Sequence, residues 1–186
     1  MEKQIGKITL TKGHVTITDP CYDKGTWCSA EVENVFKGEW EASVEIKDCG
    51  DWGNRVAKLS LKAVGQTAVK YQKLSADIGV DAGVCGVFED KPDYGDGAWS
   101  SVCDELGYKN YGLATPTNNF HCEGAWSSSG YGDGSYEATV GINEDAEVVE
   151  ITIDYLIDDD DEYYDEDDED FDNDDIPEDD AEAFTM

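Results

Sequence analysis

Across residues 39–48 every second side chain is apolar: Trp40, Ala42, Val44 and Ile46 alternate with Glu41, Ser43, Glu45 and Lys47. A period of two throws alternate side chains to opposite faces, so this segment buries its apolar set only as a strand with one face in water. Residues 55–64 repeat the pattern, with Ala57, Leu59, Leu61 and Ala63 against Lys58, Ser60 and Lys62. Val149, Ile151, Ile153 and Tyr155 alternate with Glu150, Thr152 and Asp154. They follow Ala138, Val140 and Ile142 across the turn-forming Asn143, Glu144 and Asp145, which predicts a hairpin. Further strands fit residues 5–11, 14–18, 78–81 and 84–88, and only residues 99–106 suit a short helix. The pattern predicts a mainly β fold: an antiparallel sandwich or open barrel with at most one or two short helices.

The alternation stops at Ile157. Residues 158–186 hold 18 of the 44 acidic side chains and none of the 13 lysines and arginines. Such a segment has too little apolar area to offset the entropy of ordering it, so a disordered acidic tail is expected after a globular domain of residues 1–157. The domain is acidic as well, with 26 acids against 13 bases within a total formal charge of −31. That excess repels phosphate backbones and anionic lipid, which argues against direct nucleic-acid or membrane binding and points to a basic protein surface as partner. Tyr163, Tyr164, Phe171, Ile176 and Phe184 punctuate the tail as apolar anchors amid the carboxylates.

Six cysteines (Cys21, Cys28, Cys49, Cys85, Cys103, Cys122) follow a polar start, with no C-x-x-C pair, no apolar signal core and no spanning run. This predicts a cytoplasmic setting with free thiols and no zinc ribbon; disulfides stay open if the protein leaves the cell by another route. A domain of 157 residues buries enough surface to need no staples.

Glycines and aromatics form an internal echo. GAWSS occurs at residues 97–101 and 124–128, and YGDG at 94–97 and 131–134, with the order swapped between copies. The ordinary use of these residues is turn-making and core packing. The sharper reading is a cleft in which Trp99, Trp126 and Tyr131 stack on a flat ring. Residues 52–76 contain no acid but carry Arg55, Lys58, Lys62, Lys70 and Lys73. Read as an outer strand face, this is ordinary solvation. Read as a site, Arg55, Lys58 and Lys62 would hold the protein's own tail or a small anion such as a nucleotide.

Signals for catalysis are weak. Cys21 could meet His14 across a hairpin, and Asp77 and Asp81 would share one face of a strand and could hold a divalent cation for hydrolysis, but no metal loop accompanies them. No enzyme activity and no cofactor are expected. The leading expectation is a binding protein that masks a basic, nucleic-acid-binding partner. The alternatives are a small-anion binder and a metal-assisted hydrolase using Asp77 and Asp81.

The segments TDPCYDKGTWC, GVDAGVCGVF and WSSSGYGDGSYEATVGIN resemble a family of uncharacterised bacterial and phage proteins, which implies one compact domain over most of residues 14–157 and no activity. The tail resembles the acidic segments of histone chaperones and phage DNA-mimic inhibitors. Within it, FDNDDIP (Phe171 to Pro177) is similar to the acidic tip of bacterial single-stranded DNA-binding proteins. It departs from that tip because Glu178 follows the proline and Phe184 stands two residues before Met186.

Overall fold

The computed structural model describes residues 1–156. It is mainly β, with the strands in two antiparallel sheets that do not close into a barrel. The larger sheet contains β1 (Glu2–Leu10), β4 (Gly38–Asp48), β5 (Asn54–Ala63), β12 (Val148–Asp154), β11 (Gly134–Ile142) and β6 (Lys70–Lys73), in that spatial order, with β7 (Ile78–Val80) also paired to β11. The smaller sheet runs β3 (Ala30–Glu33), β2 (His14–Thr18), β8 (Val84–Glu89), β10 (Glu123–Ser128), β9 (Tyr111–Ala114). Among the described residues no helix is long and apolar enough to cross a membrane.

The alternating runs dictate the packing. Trp40, Ala42 and Val44 from β4, Leu59 and Leu61 from β5, and Ile151 and Ile153 from β12 form one buried face. They meet Val15 and Ile17 from β2, Cys85 and Val87 from β8, and Ala125 from β10 in a single core. This is a sandwich, the first of the two architectures the periodicity allows. The expected hairpin is β11–β12, with Val140 opposite Ile151. Its turn is built by Asn143, whose Oδ1 accepts the backbone N–H groups of Asp145 (3.1 Å) and Glu147 (2.8 Å).

A third layer covers the back of the smaller sheet. Helix α1 (Asp96–Leu106) and the segment after it bury Val102, Leu106, Phe120 and Cys122 against Phe88 and Trp126. Phe120 stacks on both, at 5.8 Å from Phe88 and 6.0 Å from Trp126. Alternation did not predict β10 because it is buried on both faces, Ala125 inward and Trp126 towards α1, which removes the polar half of the pattern. Gly86 and Gly124 make room there: a Cβ on Gly86 would lie 2.6 Å from the carbonyl of Ala125, and one on Gly124 would lie 2.4 Å from that of Val87. The short edge strands β3, β6 and β9 also went unpredicted. All four side chains of β6 are exposed, so it carries no buried set to read.

The core is complete at Tyr155, which is buried and accepts a hydrogen bond from Ser127 Oγ (3.1 Å). Deleting residues 158–186 is therefore expected to leave the Tm unchanged or to raise it, because 18 like charges leave an already acidic molecule. Thermal unfolding checks this; loss of a cooperative transition would refute it.

Candidate functional site

Strand register arranges the outer face of the larger sheet in rows. Lys7, Glu41, Lys62 and Glu150 lie side by side across β1, β4, β5 and β12, and Glu45, Lys58, Asp154 and Glu137 do so across β4, β5, β12 and β11. Opposite charges meet along both. Lys7 Nζ is 2.6 Å from Glu39 and 3.4 Å from Glu41, Lys58 is 2.7 Å from Asp154, Lys62 is 3.6 Å from Glu150, and Lys73 bonds Glu137. Tyr71 donates its hydroxyl to Glu150 at 3.1 Å. The expected anion-binding strip is thus internally matched at Lys58 and Lys62, each of which faces a β12 carboxylate.

The row is broken at one corner. A β-bulge at Ala57 shifts the pairing of β4 with β5, so that Glu45 faces Lys58, Ile46 faces Val56 and Lys47 faces Arg55. Two cations then stand directly opposite each other, an arrangement that neighbouring strands normally avoid. Beyond them the turn Gly50–Trp52 exposes Trp52, and Arg55 Nε donates to the Trp52 carbonyl at 2.9 Å. The Trp52 ring lies edge to face with that of Tyr131, centroids 5.9 Å apart, and the two residues are 67% and 60% exposed. A hydrogen bond with Cys49 holds the Tyr131 hydroxyl above its ordinary pKa, with Lys47 and Arg55 acting in the opposite direction. An open groove of about 510 Å³ adjoins this corner, with Ile46, Ala57 and Leu156 among its walls.

The other expected stacking residues lie elsewhere. Trp126 is 1% exposed, sandwiched by Phe120 and Gly112, and its Nε1 has no hydrogen-bond partner. Trp99 is half-buried on α1, where it lies 6.4 Å from Tyr94. Both belong to the layer over the smaller sheet, so of the six expected ligand contacts only Arg55 and Tyr131 come together. Trp52 was missed. Its one signal is an aromatic in a Gly-Asp-Trp-Gly hairpin tip, where no apolar partner stands in register.

The candidates for chemistry are dispersed. His14 Nε2 sits 3.0 Å from Asp90 Oδ1 and makes no hydrogen bond to Cys21. Burial first, and the Asp19 carboxylate second, push the Cys21 thiol well above its usual range, the reverse of an activated nucleophile. Asp77 and Asp81 are exposed at the two ends of β7. Among the described residues no group of three or more His, Cys, Asp or Glu side chains gathers as a ligand set. The six cysteines are unpaired. Lys91, unmarked in the sequence, is buried; its ammonium donates to the Pro92 carbonyl at 2.9 Å and lies 4.6 Å from the Tyr94 ring centroid. Burial lowers its pKa. Tyr163, Tyr164, Phe171, Ile176 and Phe184 lie outside the described residues.

Comparisons of the chain with protein-family models, with curated proteins and with solved structures return no match.

Proposed function

We propose that the protein is a non-catalytic binding protein whose acidic surface and tail mask a basic surface on a partner protein, of the kind that otherwise holds nucleic acid. One observation carries this reading. Lys7, Lys58, Lys62, Lys73 and Lys109 are spent on carboxylates of the same chain, while residues 1–156 hold twice as many acids as bases. The acid excess is left facing solvent, and residues 158–186 add 18 further carboxylates. Exposed charge of one sign raises the association rate with an oppositely charged surface and makes binding fall with salt.

The experiment is capture from lysate by the full chain and by a chain ending at residue 157, at low and high salt. Basic nucleic-acid-binding proteins are expected to be retained by the full chain at low salt, released at high salt, and retained less by the shortened chain. Equal retention by both chains would assign the tail to solubility alone. Retention that ignores salt would overturn the electrostatic reading. A co-purifying ultraviolet-absorbing small molecule would favour anion binding at the Trp52, Tyr131 and Arg55 corner instead.

A further inference from the structure

Residues 52–76 carry no acid, and the last two lysines of that stretch fall on a strand that ends a sheet. β6 pairs with β11 on one side only, with Lys70 opposite Ile142 and Lys73 opposite Thr139, and all four of its side chains are exposed. The Leu74 N–H donates to the Ala138 carbonyl at 2.8 Å. In an antiparallel ladder that bond turns the N–H and C=O of Gln72 towards β11 and those of Tyr71 and Lys73 away from it. The outward groups form a free edge beside the exposed side chains of Val69 and Tyr71. Lys73 is held by Glu137, but Lys70 makes no ion pair among the described residues.

We propose that residues 163–168 of the protein's own tail, YYDEDD, dock on this edge as an added antiparallel strand. Charge selects the segment: Asp165 to Asp168 are carboxylates brought to an edge whose charged side chains are both lysines, and opposite charges across neighbouring strands attract. Tyr163 and Tyr164 bring strand-forming side chains that the surrounding aspartates lack, and set rings beside Tyr71. A second copy is the poorer occupant. It would set Lys70 and Lys73 against their own equivalents and bring together two chains of formal charge −31. Glu150, bonded to Tyr71, and Glu137, bonded to Lys73, lie on the outer face of the sheet, and Glu144 and Asp145 share a groove with Val69 next to Lys70. These carboxylates confine an acidic segment to the edge itself.

The tail starts close enough to reach. Lys73, Thr139 and Thr152 lie side by side across β6, β11 and β12. Leu156 stands four residues past Thr152, about 13 Å along the strand, and a strand outside β6 lies three spacings from β12, about 14 Å across. The combined path is about 20 Å. Tyr163 is seven residues beyond Leu156, a reach of up to roughly 24 Å when extended. A tail that arrives at the Lys73 end and runs towards Lys70 is antiparallel to β6. Tethering supplies the rest: at an effective concentration on the order of millimolar, a contact of about millimolar affinity is occupied about half the time. Covering the edge also keeps it from pairing with another chain. The contact is internal to the chain and stands whether or not a basic partner exists.

Amide hydrogen exchange and backbone NMR relaxation on the full chain test it. At low salt, exchange at Tyr71 and Lys73 is expected to be about twofold slower than in a full-length variant carrying Tyr163→Pro with Tyr164→Pro, as half occupancy requires. The adjacent prolines remove an N–H donor whichever of the two faces β6. Residues 163–168 should show heteronuclear NOE values above those of residues 171–186, and the two proteins should converge at high salt. Lys70→Gln should lower the protection while core amide shifts persist, and Phe171→Pro with Asp172→Pro, outside the segment, should leave it unchanged. Equal exchange in the unmodified chain and the Tyr163→Pro, Tyr164→Pro variant would overturn the proposal. So would ordering of residues 171–176 in place of 163–168, or protection that grows with protein concentration, which would place the contact between copies.

Discussion

Replacing Asp19 with alanine is expected to cost more stability than any surface change in this molecule, on the order of 3 kcal/mol or more. Asp19 is fully buried, and its two carboxylate oxygens accept three backbone N–H groups: Cys21 at 2.8 Å, Asp81 at 2.8 Å and Ala82 at 2.6 Å. The first bond closes the turn after β2, and the other two tie that turn to the β7–β8 connection. Alanine would leave three part-buried backbone donors without their shared acceptor, and each bond to a charged acceptor contributes roughly 1.5–3 kcal/mol. Asparagine keeps one oxygen but sets an NH2 group against a backbone donor, so Asp19→Asn should lie between wild type and Asp19→Ala. Glu39→Gln, which weakens an exposed pair with Lys7, should cost less than about 1 kcal/mol and serves as the control. Denaturant unfolding of the four proteins measures this. An Asp19→Ala protein as stable as the control would refute the clamp.

The sandwich was legible in its long strands with one wet face. The alternation of Trp40 to Lys47 and of Val149 to Asp154 named both the strands and their buried faces, because each polar residue in those runs stands in the solvent half of the pleat. In β10, buried on both faces, the signal vanished, and the repeated pentapeptide GAWSS shows why. Its first copy opens α1 and its second forms most of β10. The five residues are identical, so their local preference cannot decide between helix and strand. What differs is the setting: the first copy follows a Gly95 N-cap with free space around Gly97, while the second is pinned between Phe88 and Gly112. Tertiary packing overrides propensity in such cases.

The candidate corner was legible only in part, for a related reason. Arg55 and Tyr131 could be named from residue type, but the partner that joins them, Trp52, is placed by the Gly50–Trp52 turn, which no periodicity reports. Lys58 and Lys62 looked available because the sequence does not say which carboxylates lie across the sheet. The register of β5 with β12 supplies Asp154 and Glu150. Lys91 gave no sign at all, since its burial comes from tertiary neighbours such as the Tyr94 ring that no local pattern announces.

Stability is expected to hold level up to about pH 9 and then to fall steeply, because the core ionises reluctantly. Burial pushes Cys85, which has no exposed surface, well above its ordinary value, with the Asp19 carboxylate adding to the effect. Burial likewise holds the Cys122 thiol at about 11, against 9.0 for a free thiol, and raises Tyr94 and Tyr155 above 10.0. The sign follows from linkage. A group with a raised folded pKa binds its proton more tightly when folded; its contribution is complete below the unfolded pKa and is lost as pH rises towards the folded one. The window thus opens near 9.0 for the two thiols and near 10.0 for the two tyrosines. Lys91 opposes them: its folded pKa is depressed below 10.5, so the cost of its buried charge is relieved as pH rises towards that value. One lysine acts against two thiols and two tyrosines, so the net direction is downward. At 1.36 kcal/mol per unit, each buried thiol accounts for about 2 kcal/mol between pH 9 and about 10.5. Denaturant unfolding under reducing conditions from about pH 8 to 10.5 should show the decline, and Cys85→Ala should make it shallower, so that the variant closes on wild type as pH rises. A flat profile to about pH 10.5, or an undiminished slope in Cys85→Ala, would show that the buried thiols do not govern alkaline stability.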